Sequence, residues 1–214
     1  MGIILLFRHG ETDLTLGRYC GSTDPPLNER GREQADQVAA LLREHQPAAV
    51  YSSPLRRAAE TAEPAANALG LRVQTIDALR EIDFGEWEGL TFAEARERDA
   101  AHWARRQDDP YGVSPPRGET YRELVARVLP AFRDLFERHA GDTVAVFAHK
   151  SVIRVLVTDV LSMPVSYYRR IELDPGALCI VRAHDGHREV LSVNECCHLG
   201  VSAGDRARQL DAAG

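Results

Sequence analysis

The chain has 214 residues, 44% hydrophobic and 27% charged, a composition that excludes a wholly disordered chain and suits one globular domain. Its 26 basic and 32 acidic residues leave a formal net charge of −6. That balance opposes a general nucleic-acid or membrane binder, which needs a positive face, although a local basic pocket fits within a negative total.

Lys150 is the single lysine and every other basic residue is arginine, so an isolated arginine carries little information. No run approaches the roughly 20 apolar residues of a membrane span, and residues 3–7 are too short, and lack the basic leader, for a signal segment. Cys20, Cys179, Cys196 and Cys197 show no CxxC spacing, so reduced thiols and a cytoplasmic location are expected.

Residues 2–7, apolar and rich in Ile and Leu, predict a strand covered on both faces. Residues 10–28 read as loop. Asn28 is placed to cap a helix whose apolar side holds Ala35, Val38, Ala39 and Leu42. A strand is expected at 48–51. Pro54 then opens a helix that stops at Gly70, with Pro64 bending or interrupting it. Another strand is expected at 73–76, followed by an irregular, glycine-punctuated segment from Glu81 to Gly89. A polar helical stretch covers about 91–106, a loop 108–118, and a long amphipathic helix 120–139, with a kink at Pro130. Residues 143–148 form a second apolar strand that runs into His149 and a helix over 151–161. Residues 177–182 and 188–193 read as a hairpin around Asp185-Gly186. The alternation of strands and helices predicts an α/β fold: a three-layer α/β/α sandwich around a mostly parallel sheet. One domain is expected over residues 1–200, with a helical cap or loop region at about 90–118 and a flexible tail at 201–214.

Open α/β sheets bind ligands beyond the C-terminal ends of their strands. One strand here delivers Arg8 and His9, and another delivers His149 at a helix start. A third leads through Ser52-Ser53-Pro54 to Arg56, with Arg57 as its alternative. Arginine matches phosphate oxygens with paired donors, and a helix N-terminus near Lys150 and Ser151 adds free amides. A neutral imidazole is a competent nucleophile toward phosphorus, but the leaving alcohol needs an acid. Glu81 is the leading candidate because it precedes the sharp glycine-rich loop, while Asp83, Glu86 and Glu88 compete. Tyr19, Trp87, Trp103 and Tyr111 are expected at the mouth. The charge run over 96–106 reads as a solvated helix face over the site.

Arg8-His9-Gly10-Glu11-Thr12 resembles the signature of the histidine phosphatase superfamily, also called phosphoglycerate mutase-like. The stretches Gly21 to Gly31, Ser52 to Ala58 with Thr61-Ala62, Glu81 to Gly89, Pro116 to Thr120 and Ala148-His149 extend the similarity in order over residues 3–199. The resemblance implies that fold and a phosphorylated nucleophile, His9. It implies that Arg8 and Arg56 clamp the phosphoryl oxygens, that His149 donates to them, and that Glu81 acts as acid and then base. No metal or other cofactor is implied. The function it implies is hydrolysis of a small phosphomonoester through phosphohistidine. Two alternatives stand beside it: phosphoglycerate mutase-type transfer, and a non-catalytic phosphate or phosphoprotein binder. The short span between Glu81 and His149 favours the phosphatase branch. Within that branch, Gly17 to Gly21 resembles α-ribazole-phosphate phosphatases, and Asn194 to Gly200 resembles metal-independent phosphoserine phosphatases.

Thr15, Cys20, Gly21, Ser22, Lys150 and His198 complete the candidate pocket. Lys150-Ser151 stands where the family often has Gly-Gly or Gly-Ser, and Thr15 stands near an Asn of the mutase pattern. The expected partner is a small phosphomonoester, with no nucleic acid and no membrane. A homodimer is the base-rate expectation.

Overall fold

The computed structural model describes residues 1–15 and 17–200; the tail expected from residue 201 lies outside the described residues. Its strands are β1 (Gly2–Arg8), β2 (Ala49–Ser52), β3 (Val73–Thr75), β4 (Thr143–Ala148), β5 (Leu178–His184) and β6 (His187–Glu195). They form one sheet in the order β3-β2-β4-β1-β5-β6. The pairs β1–β4, β4–β2 and β2–β3 are parallel, and β5 and β6 add an antiparallel edge. The sheet is therefore mostly parallel, as the sequence predicts.

Side-chain alternation along β1 sets the layers, because successive residues point to opposite faces. Leu5 and Phe7 pack against α1 (Glu29–His45) and α2 (Arg56–Leu69) through Val38, Leu42, Ala62 and Ala66. Ile4 and Leu6 pack against α5 (Tyr121–Arg138) and α6 (Lys150–Val160) through Leu124, Phe132, Val152 and Leu156. Helices cover both faces, which makes the three-layer α/β/α sandwich.

Register decides what stands at the strand ends. Arg8 pairs with Ala148, so the next residue of each strand is a histidine, His9 beside His149. Ser52 pairs with Phe147, which brings Ser53 level with Ala148, one residue before His149.

The helix starts follow the expected chemistry. Asn28 Oδ1 accepts the Gly31 amide at 2.8 Å, while its amide nitrogen donates to Glu11 Oε1 at 2.9 Å. At α2 the N-cap is Leu55, which has no capping side chain, and Asp24 Oδ1 accepts the Arg56 amide from another loop instead. Gly70, at φ 67, ends that helix in the left-handed region.

Pro64 and Pro130 lie within helices that run on past them, so Pro64 does not interrupt α2. Pro130 is exposed, so the carbonyl it leaves without an N–H partner is on the solvent side of its helix. The single helix expected over 91–106 is two, α3 (Phe92–Arg98) and α4 (Ala100–Asp108). Asp99 separates them: its backbone leaves the helical region at φ −153 and ψ 84, and its carboxylate accepts the His102 amide as the cap of the second. Such a residue favours restarting a helix over continuing one.

Replacing Asn28 by Ala removes the cap and the tie to Glu11 together. Urea unfolding should show a loss of about 1 kcal/mol, and an unchanged midpoint would show that the cap contributes nothing.

Candidate active site

The rings of His9 and His149 lie 5.1 Å apart between centroids, and both side chains are buried. His9 Nδ1 lies 2.7 Å from the carbonyl oxygen of Gly10. A carbonyl only accepts, so Nδ1 carries the proton and Nε2 keeps its lone pair free. The Gly10 amide in turn donates to Thr61 Oγ1 at 2.9 Å, whose hydroxyl donates to the Arg57 carbonyl at 2.7 Å. Gly10 must be glycine: a Cβ there would meet the Gly31 carbonyl oxygen at 2.6 Å. The loop that orients the His9 ring is thus pinned to α1 and α2.

The cation from α2 beside the histidines is Arg57. Arg56, expected as the clamp, is exposed and pairs with Glu60 at 2.5 Å. Arg57 is fully buried, and its two terminal nitrogens donate to the Thr23 and Gly21 carbonyls at 2.7 and 2.8 Å. Helical periodicity explains the difference. Arg57, Thr61 and Ala65 are spaced four apart on the buried side, whereas Arg56 and Glu60 form an opposite-charge i,i+4 pair on the solvent side. That pair is the signal in the sequence that separates the two arginines.

Arg8 donates to the Leu173 carbonyl at 2.6 Å. Its Nε, the Nε of Arg57 and Nδ1 of His149 are buried without hydrogen-bond partners. His149 Nε2 meets Ser53 Oγ at 2.8 Å. That oxygen also accepts the Leu55 amide at 3.2 Å. Two buried guanidinium N–H groups and one buried imidazole nitrogen therefore lack partners, although buried polar groups are nearly always satisfied.

The same surroundings set protonation. Burial, then the guanidiniums of Arg57 and Arg8, hold His9 well below the usual histidine range. Burial and Arg57 do the same to His149, with smaller contributions from His9 and Arg8. Burial lowers Arg8 to about 10, which leaves it cationic at neutral pH. Both imidazoles are accordingly neutral beside two fixed positive charges.

Of the four acidic candidates, Glu81 lines the cleft. Its carboxylate accepts the Ser151 amide at 3.2 Å in the first turn of α6, and its own neighbour's amide, Ile82, at 2.9 Å. The others are occupied elsewhere. Glu86 pairs with Arg117 at 2.8 Å, and Asp83 accepts from Ser22 Oγ and the Gly85 amide. Glu88 accepts from the amides of Gly21, Ser22, Thr23 and Phe84 and from the Thr23 hydroxyl. These bonds outweigh its desolvation and lower its pKa. They also fix the loop whose Gly21 and Thr23 carbonyls hold Arg57.

The cleft encloses about 580 Å³. Thr15, Cys20 and Lys150 line it as expected. Gly21 and Ser22 support it from behind, through Arg57 and Asp83 respectively. His198 turns away: its Nε2 donates to the Gly176 carbonyl at 3.0 Å and its ring meets Phe7 edge-on. Lys150 pairs with Glu172. Tyr19 and Trp103 reach the cleft, but Trp87 is packed in a cluster with Tyr19 and Ala95. Tyr111 lies under Arg122, 5.1 Å from its ring centroid. The residues that sequence reading missed are Arg57, left as the alternative, and Arg106, assigned to a solvated face but buried against the cleft.

The histidine phosphatase superfamily (branch 1) family model matches residues 4–196. A bifunctional protein of Mycobacterium tuberculosis is 41% identical over 199 residues, covering 92% of this chain and 54% of its own length. The chain thus spans about half of that relative. Phosphoserine phosphatase 1 of Hydrogenobacter thermophilus is 31% identical, covering 92% of this chain and 94% of its own. Among solved structures, YhfR of Bacillus stearothermophilus superposes with a TM-score of 0.87 at 29% identity, covering 93% of this chain and all of that one. The chain belongs to the histidine phosphatase superfamily.

Arg57→Met should lower kcat/KM for a phosphate ester by about 1,000-fold, or about 4 kcal/mol of transition-state stabilisation, while Arg56→Met stays within about threefold of the parent. Steady-state kinetics on both, with melting curves to confirm folding, would return the role to Arg56 if the order were reversed.

Proposed function

We propose that the protein is a metal-independent phosphomonoesterase that works through a phosphohistidine on His9. The observation that carries this reading is the Nδ1 contact of His9 with the Gly10 carbonyl, which leaves a neutral Nε2 lone pair beside the buried, unpartnered nitrogens of Arg8, Arg57 and His149.

Nε2 of His9 attacks phosphorus in line with the ester oxygen. The P–O bond to the alcohol breaks as the P–N bond forms. Charge spreads over the equatorial oxygens, where Arg8, Arg57 and His149 each present an N–H; phosphoryl transfer depends on such placement and neutralisation. Glu81, protonated at the start, gives its proton to the departing alcohol. As carboxylate it then takes a proton from water, which attacks the phosphohistidine and releases phosphate and free His9. Each cycle consumes one ester and one water and returns both side chains to their starting state.

The phosphoserine phosphatase relative supports a small ester as substrate. The resemblance of residues 17–21 to α-ribazole-phosphate phosphatases points to a second small ester of the same chemical class.

In buffer containing a chelator, the protein should release phosphate from p-nitrophenyl phosphate, and His9→Ala should lower kcat by at least about 1,000-fold. Rapid acid-free quenching with a radiolabelled ester should trap label on the parent protein and none on the variant. Full dependence on added Mg²⁺, or undiminished turnover in the variant, would overturn this mechanism. Faster interconversion of phosphoglycerates than release of phosphate would replace it with the mutase reading.

A further inference from the structure

Glu81 lies outside regular structure, between a 3-10 turn at Asp77–Leu79 and another at Gly85–Trp87. No helix or strand ladder fixes its backbone. A group that hands a proton to one particular oxygen needs a fixed support, because a displacement of about 1 Å costs a large part of the rate.

Arg127, on α5, supplies that support. Its Nη1 donates to the carbonyls of Ala78 and Arg80 at 2.7 and 2.8 Å, and its Nη2 donates to the carbonyl of Glu81 itself at 3.0 Å. The other two N–H groups form a fork on one carboxylate: Nε donates to Glu119 Oε1 at 2.7 Å and Nη2 to Glu119 Oε2 at 2.8 Å. Every N–H of the guanidinium therefore has an acceptor.

Glu119 grips the far side of the same segment. Its Oε2 accepts the Asp83 amide at 3.3 Å, and its own amide donates to the Asp83 carbonyl at 2.9 Å. Gly118 lies so close that an added Cβ would stand 2.6 Å from that carbonyl oxygen. One ion pair thus holds the chain on both sides of Glu81. Neither of its members lines the cleft. A partly exposed ion pair adds little to stability as a pair, whereas a bidentate fork adds geometric precision. The Glu81 carboxylate is in turn located by the Ser151 amide of α6, at 3.2 Å. Its backbone is set by α5 and its side chain by α6.

We propose that Arg127, locked by Glu119, is a positioning residue for the acid: it holds the Glu81 backbone where the carboxyl reaches the ester oxygen, and so governs hydrolysis of esters whose alcohol must leave with a proton. This rests on the phosphomonoesterase reading, with Glu81 as its acid.

Two esters separate positioning from packing. An n-alkyl phosphate needs a proton on its departing oxygen, whereas 2,4-dinitrophenyl phosphate loses a stable phenolate without one. The comparison uses kcat/KM, which covers the steps up to release of the alcohol. Arg127→Met should lower kcat/KM about 100-fold on the alkyl ester and less than about threefold on the dinitrophenyl ester. Arg127→Lys keeps the charge and loses the fork, so it should show the same ester dependence at smaller size. Melting curves confirm folding, and Arg127→Lys carries the test should Arg127→Met fail to fold. In a Glu81→Gln background, Arg127→Met should cost less than about threefold on the alkyl ester, because the group it positions is already gone. Equal losses on both esters, or an undiminished cost beside Glu81→Gln, would assign Arg127 a packing role and overturn the proposal. The Ser151 amide resonance, assigned in nitrogen-15 spectra, reads the position of Glu81 without turnover. Both Arg127 variants should move it toward its place in Glu81→Ala, and an unmoved resonance would also overturn the proposal. A parent that hydrolyses neither ester while this resonance responds would support the hold on Glu81 and count against the phosphomonoesterase reading alone.

Discussion

The site depends on one fully buried guanidinium. Arg57 points from α2 toward the two strand-end histidines, and its terminal nitrogens are held by the Gly21 and Thr23 carbonyls. Carbonyl dipoles orient the cation without cancelling its charge; Asp24, the nearest carboxylate, is 3.9 Å away and largely exposed. The positive field therefore stays available in the pocket. After burial, which is the larger cause, it also holds both imidazoles well below the usual histidine range. Neutrality is what the proposed nucleophilic role of His9 requires, and the same charge would attract the anion in that reading.

Such an arrangement costs stability locally, and the surrounding loops supply the compensation. Glu88 gathers the amides of residues 21–23 and 84 onto one carboxylate, in a stretch where Gly21 approaches the Ile82 carbonyl so closely that an added Cβ would lie 2.0 Å from it. The loop that carries the Arg57 acceptors and the loop that begins at Glu81 are in this way one unit. The glutamates of a single short segment divide their work: Glu81 faces the cleft and Glu88 faces the scaffold. Identical side-chain chemistry acquires different uses through what each carboxylate can accept.

Much of this was legible before any coordinates. The apolar runs of β1 and β4, the Asn28 cap, the Gly70 stop and the Asp185-Gly186 turn each followed from local chemistry, and the layered fold followed from their alternation. The juxtaposition of His9 and His149 was legible because each directly follows a strand. Choosing Arg56 over Arg57 failed because neighbouring helical residues differ by about 100° in direction, and the apolar stripe alone left both near its border. The Arg56–Glu60 spacing held the answer. Arg106 was hidden for another reason. It sits in a run of charges that periodicity reads as solvated, and its burial depends on Phe84 and Trp87 from a distant segment. His198 looked like a pocket residue from its neighbours in sequence, but Gly176 and Phe7 hold it on the other side of the β1 strand end.

The claim on which the rest turns is the state of one ring. Nitrogen-15 spectra of the histidine side chains, recorded from pH 8 down to pH 5.5 in phosphate-free buffer and assigned with a His9 variant, read it directly. Burial beside Arg57 and Arg8 lowers the His9 pKa, so the proton is bound more weakly than in a free histidine. His9 should therefore stay neutral, protonated on Nδ1 and bare on Nε2, throughout the range where an exposed histidine gains its charge near pH 6.5. A His9 that titrates at or above that value, or one whose neutral form carries its proton on Nε2, would contradict the account.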